Sequence, residues 1–392
     1  MSAVVIGAGP AGLTAAEELA RAGVKTVVCE AKPSVARKLL MAGKSGLNLT
    51  KDEDFEAFMA GYGEAAGPLR PMLEAYGPTE VKAWAEALGQ PVFTGPTGRV
   101  FPKAMKASPL LRAWLQGLPV EVRTRWRWTG FDGDALRFDT PDGARLERPD
   151  VTVLALGGAS WARLGSDGAW APWLEAQGIE ITPFKPANMG LAVAWSSHME
   201  AHFGSPVKGV ALHAGDVSSR GEFVISQRGL EGGGIYEVSA AVRDGAALYL
   251  DLCPQFSTEE ITTRLAKRKK DSTANKLRKA LGLSPAARAL AMEFGRPLPG
   301  GAELAQLLKA LPVKHSGPRP IDEAISTAGG VAFSQVDQGL MLINRPGTFV
   351  AGEMLDWEAP TGGYLLTACF STGKWAGKAA ADYCFKGGRS SS

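Results

Sequence analysis

Glycines at positions 7, 9 and 12, in the run Gly7-Ala-Gly9-Pro-Ala-Gly12, and a glutamate at position 30 form a set suited to holding a dinucleotide. Gly7 permits a tight turn, Gly9 lets backbone approach a pyrophosphate, and Gly12 lets the following helix pack closely. Glu30 lies roughly twenty residues beyond the glycines, where a carboxylate accepts hydrogen bonds from ribose hydroxyls and disfavours a 2′-phosphate. That chemistry selects FAD or NAD over NADP. For these groups to meet, Ala3 to Ile6 ("AVVI") must be a strand, "LTAAEELARAG" a helix ending at Gly23, and "KTVVC" a second strand that delivers Glu30 at its end. Glycine turns also occur for packing alone, and a glutamate at a strand end can simply be solvated. Found together in this order, they argue for the nucleotide.

Two later stretches offer further backbone approach to a ligand. "RKLLMAGKSGLNLT" (37–50) contains Gly43, Gly46, Lys44, Ser45 and Asn48 in one loop, with Arg37 and Lys38 placed to face phosphate; a surface turn with solvated charges is the alternative. Near the C-terminus, a strand over Thr348 to Ala351 runs into Gly352 and Glu353. Asp356 and Thr361-Gly362-Gly363 follow, and a helix begins near Tyr364. A helix start there can stabilise negative charge on a reduced flavin, or serve packing only. The apolar strand Val151 to Leu156 ends in Gly157-Gly158, another place for backbone to meet the same dinucleotide. Arg99, Lys103 and Lys106 form a basic cluster able to face a flavin or an anionic substrate, though a solvated basic loop is the more common explanation for such a cluster.

Composition narrows the class. With 392 residues the chain exceeds the size of a single growing core, and 45% hydrophobic with 21% charged residues is the balance of a globular protein. No apolar run approaches the roughly 18 residues of a membrane span, and no basic leader precedes the glycine motif, so a cytoplasmic protein with no membrane partner is expected. Cys29, Cys253, Cys369 and Cys384 form no C-x-x-C pair, and His198, His202, His213 and His315 show no ligand spacing, so neither a metal site nor a dithiol centre is expected. Basic residues between 264 and 279 raise RNA binding, but a net charge of +3 favours a solvated amphipathic face.

As a set, "GAGPAGLTAA" with Glu30, the 37–50 loop, "GRVFP" at 98–102, "LALGGAS", "TAGGV" and "FVAGEMLDWEAPTGGYLLTACFSTG" resemble the YhiN/BaiN-like bacterial flavoproteins, also called aminoacetone oxidase family FAD-binding enzymes. The resemblance runs along nearly the whole chain. It implies an α/β fold whose Rossmann-type FAD-binding domain, of the two-dinucleotide-reductase kind, is assembled from both chain ends. The expected segments are 1–187 and 316–392 for FAD, 188–257 for an inserted strand-rich domain and 258–315 for an inserted helical segment. FAD contacts are implied at Gly7, Gly9, Gly12, Glu30, Lys38, Gly43, Ser45, Gly46, Asn48, Gly352, Glu353, Thr361 and Gly363. Leu47 stands where many relatives carry Cys, and Lys44 interrupts the glycine run, so no thiol mechanism is expected at that loop.

The expected function is FAD-dependent oxidation or reduction of a small molecule. NAD(P)H is at most a transient donor, because no second Gly-x-Gly-x-x-Gly follows a strand. An oxidase or an enoyl-type reductase fits better than a disulfide reductase. Arg99, Lys103 and Tyr364 are the groups nominated to stand near the flavin. A flavin-dependent tRNA-modifying enzyme and a redox-sensing FAD-binding protein remain open at this point.

Overall fold

The computed structural model describes residues 1–44 and 46–387. They divide into two compact units: one joins Met1–Lys185 with the segment from Ser326 onward, and the other is Pro186–Ile325.

The first unit is built on a parallel sheet of β1 (Ser2–Ile6), β2 (Lys25–Glu30), β3 (Glu121–Thr124), β4 (Val151–Leu154) and β5 (Thr348–Val350), in the order β3-β2-β1-β4-β5. Val4, Val5, Val28, Val153, Leu154 and Val350 are all buried, as expected of parallel strands covered on both faces. This is the doubly wound order in which ligands bind where the order reverses, between β1 and β4. Helix α1 (Pro10–Arg21) follows β1 with Pro10 in its first turn, where a missing N–H costs nothing. The C-terminal helix lies on α1: a Cβ on Gly373 would stand 2.2 Å from Ala11 O, and one on Gly377 2.6 Å from Ala15 O. The expected helix near Tyr364 is thus present as Tyr364–Gly387, and its glycines bring it close to the nucleotide helix.

Between β2 and β3 lie a short helix, α2 (Arg37–Ala42), and a small antiparallel sheet in which Arg99–Pro102 is flanked by Thr50–Lys51 and Val92–Thr94. Between β3 and β4 an antiparallel meander forms as Arg127–Asp132, Ala135–Thr140 and Gly143–Glu147, turning at Asp132-Gly133 and Asp142-Gly143.

In the second unit the strands form one antiparallel sheet whose long members are Pro206–Ala214 and Val217–Ser226. Helices Thr258–Ala266, Thr273–Leu281, Pro285–Gly295 and Gly301–Lys309 share a single apolar cluster with that sheet, in which Phe223, Leu250, Ile261, Leu290 and Leu308 are wholly buried. The segments 188–257 and 258–315 therefore sit in the same unit. "SGPRP" at 316–320 lies in it too, held by Ala192 N–H to Gly317 O and Arg319 N–H to Gly190 O, both 2.9 Å. No described helix is long and apolar enough to cross a membrane. Among the described residues no group of three or more His, Cys, Asp or Glu is disposed to hold a metal.

Candidate functional site

The carboxyl ends of β1, β2, β4 and β5 open into a cleft that encloses about 940 Å³, open solvent included. The motif glycines lie in or beside it, and each does something different. Gly7 has φ +103°, and a Cβ there would stand 2.2 Å from Ala155 O; one on Gly12 would stand 1.9 Å from Gly7 O. Neither position tolerates a side chain. Gly9 has φ −86°, and a Cβ built on it meets nothing within 4 Å. Gly9 lines the cleft, so that open space belongs to whatever the cleft holds. No side chain caps α1, which leaves its first N–H groups and positive dipole end for an anion.

Glu30 lines the cleft. Its Oε2 accepts from Ala8 N–H at 3.1 Å and its Oε1 from Lys32 N–H at 2.8 Å. Burial raises its pKa above the usual carboxylate value against the pull of those two bonds. Each oxygen keeps acceptor capacity for a hydroxyl. On α2, Lys38 Nζ donates to Glu353 Oε2 at 2.9 Å and to Ser160 Oγ at 3.0 Å, tying three distant segments to the cleft wall. Lys38→Met is expected to lower stability by about 1–3 kcal/mol, since it removes charge-assisted bonds and strands a mostly buried Glu353. A shift in the urea midpoint of the flavin-free protein measures this, and an unchanged midpoint would show that the pair adds nothing net.

Gly157, with φ +77°, also lines the cleft, and its carbonyl accepts from Trp170 Nε1 at 2.8 Å. Gly352 (φ +74°) and Glu353 complete the wall. Apart from Arg37, the other sequence-nominated residues that are described do not line this cleft. A Cβ on Gly363 would lie 2.4 Å from Thr50 Cα, one on Gly46 2.8 Å from Met105 Cε, and one on Gly43 2.6 Å from Ala107 Cβ. Arg99 Nε stands 3.8 Å from the Cβ position of Gly362, and Thr361 beside it is partly exposed. Asn48 Nδ2 reaches Thr50 O at 3.4 Å, while its Oδ1 is buried with no partner. Ser45 lies outside the described residues. The Tyr364 hydroxyl is held by Lys51 Nζ at 3.0 Å and by Glu53, and its ring stacks on Phe58 at 4.7 Å. Burial raises its pKa. Lys103 is exposed. Asp356 accepts from Thr182 Oγ1 at 2.7 Å.

Residues 1–379 match the HI0933-like protein Rossmann domain. The chain belongs to the HI0933-like family. It is 26% identical over 419 residues to a 3-dehydro-bile acid Δ(4,6)-reductase of Clostridium scindens, in an alignment covering 96% of this chain and 98% of that protein. Among solved structures, it resembles a 3-ketosteroid Δ1-dehydrogenase of Sterolibacterium denitrificans, with TM-score 0.52, 12% identity and coverage of 97% and 99% of the two chains. It also resembles E. coli quinol fumarate reductase, with TM-score 0.50, 17% identity and coverage of 98% of this chain and 70% of that one. These structural likenesses show the fold. The HI0933-like chain is an FAD-dependent oxidoreductase.

The cleft fits that cofactor on its own geometry. Besides the open face of Gly9 and the uncapped α1, its walls carry buried polar atoms without partners: Arg37 Nε, Trp128 Nε1 and Ser166 Oγ. Buried polar atoms of this kind cost free energy until something pairs with them. The tryptophan wall of Trp126, Trp128, Trp170 and Trp173 went unread in the sequence. Its signal was the density of indoles in "RWRW" (125–128) and "WAPW" (170–173), a residue with an apolar body and one donor. Burial pushes the Cys29 thiol up to about 12 and raises that of Cys369, which also lines the cleft, so the reactive thiolate form is disfavoured at both.

Proposed function

We propose that this protein reduces an activated carbon–carbon double bond in a small, largely apolar molecule, with a transiently bound reduced nicotinamide dinucleotide as electron donor. The observation that carries the reading is end-to-end similarity to a bile acid Δ(4,6)-reductase, in a chain whose own cleft fits FAD. Bound FAD supplies hydride transfer. The chain's share is to hold it. Glu30 accepts from the ribose hydroxyls, Gly9 and the start of α1 receive the pyrophosphate, and Lys38 and Glu353 stand in the wall. Gly43, Gly46, Asn48 and the Asp356 to Gly363 segment are assigned to the ring end, with Arg99 beside Gly362 on the substrate side. Lys103 and Tyr364 are given no contact with reacting atoms, because Lys103 is exposed and the Tyr364 hydroxyl is spoken for by Lys51 and Glu53. With one Gly-x-Gly-x-x-Gly motif present and used, a nicotinamide donor has no Rossmann domain of its own and must come and go.

The test is an anaerobic absorbance titration with NADH and NADPH, followed by a 3-oxo-4-ene steroid. Bleaching of the flavin by either donor and recovery of colour on adding the enone is the expected result. A flavin that neither donor bleaches overturns the donor assignment. One that recovers its colour only in air overturns the reductase reading.

A further inference from the structure

The outer face of the small sheet carries side chains that do not line the cleft. In the register Lys51↔Arg99, Thr50↔Val100 and Phe93↔Phe101, alternation sends Thr50 and Val100 inward, where both are wholly buried. Lys51, Arg99, Phe101 and Phe93 therefore share the other face. Phe93 is 42% exposed and stacks on Phe101 at 5.8 Å, and Met105, 38% exposed, stands beside Gly46. Lys51 is neutralised by Glu53 at 2.7 Å. Arg99 is partly buried, and its guanidinium has no hydrogen bond or ion pair among the described residues, although its Nε stands 3.8 Å from the Cβ position of Gly362. An unpaired fork of donors on the same face as an exposed and a half-buried aromatic ring is suited to a molecule with an apolar body and a planar anionic end.

We infer that this ledge is the substrate site and takes an apolar organic acid, with Arg99 binding the carboxylate and Phe93 and Phe101 packing on the body. The inference rests on the proposed placement of the FAD ring end at Gly46 and Gly362. It goes further in naming the substrate class and the residue that selects it.

The experiment uses the FAD-loaded protein and two probes, a 3-oxo-4-ene steroid acid and an arylacrylic acid, each against its neutral methyl ester. Binding is read from the flavin spectrum and turnover from kcat/KM. At least one acid is expected to bind better than its ester by about 10- to 100-fold, the worth of charge-assisted bonds. Arg99→Gln is expected to erase that preference by weakening the acid far more than the ester, with partial rescue by Arg99→Lys. Phe93→Ala is expected to weaken acid and ester alike. Equal binding of acid and ester by the parent, no binding of any probe, an equal loss of both in Arg99→Gln, or loss of FAD in that variant would each overturn the assignment. Bleaching by NADH or NADPH is recorded on the same samples. A protein that bleaches but shows no acid preference refutes the ledge and spares the donor reading, whereas an acid preference without bleaching does the reverse.

Discussion

Gly9→Ala is expected to fold like the parent and to lose FAD, whereas Gly12→Ala is expected to lose the fold. The contrast comes from what each new methyl would meet. At Gly9 the backbone sits at φ −86°, ψ −176°, which alanine adopts freely, and nothing lies within 4 Å. As the residue preceding the first turn of α1, an alanine there costs about 1 kcal/mol at most. The methyl would instead fill the space through which a pyrophosphate reaches the start of α1, so FAD affinity is expected to fall by at least ~100-fold, or about 2.7 kcal/mol. At Gly12 the methyl would lie 1.9 Å from Gly7 O, and α1 would have to move off the sheet. A loss of about 4 kcal/mol or more follows from overpacking in the core. Thermal unfolding of flavin-free protein, paired with a fluorescence titration of FAD, separates the two effects. Parental FAD affinity in Gly9→Ala would mean that no phosphate lies at that helix end.

Glu30→Gln should weaken FAD by about 1.5–3 kcal/mol for each charge-assisted ribose bond it removes, a loss visible as colour on purification. The variant also separates two pH effects of opposite sign. Burial holds the folded Glu30 pKa above its unfolded value, so the native flavin-free chain binds the extra proton. Its contribution to stability is therefore present below the unfolded pKa and is lost as pH rises through the folded one. Ribose hydroxyls donate to the ionised form, so FAD binding expels that proton. Affinity is then expected to fall as pH drops through the raised pKa, by up to about tenfold per unit. Both dependences should vanish in Glu30→Gln. An FAD affinity equally pH-dependent in parent and variant would place the titrating group elsewhere.

What could be read in advance was what local pattern controls. Continuous apolar runs gave β1, β2, β4 and β5. Gly7 and Gly12 announced their roles, because a requirement for no side chain leaves only one residue type. What escaped depended on contacts across hundreds of residues. Nothing local to Lys38 foretells that its ammonium meets Glu353, or that the Tyr364 hydroxyl is held by Lys51 and Glu53. "SGPRP" looks like a linker by composition, yet its backbone pairs with residues 190–192 and becomes part of the second unit. The tryptophan wall was hidden for another reason: an indole on a strand is ordinary core until the fold leaves its N–H without a partner, as it does for Trp128.

The most direct test of the account is to strip the protein of flavin and titrate it with FAD and with FMN, which lacks the adenosine half. Glu30 and the mouth of β2 are assigned to that half, so one FAD per chain should bind and FMN should bind at least ~100-fold more weakly. A protein that stays colourless with FAD, or that holds FMN as tightly, would contradict the assignment of this cleft.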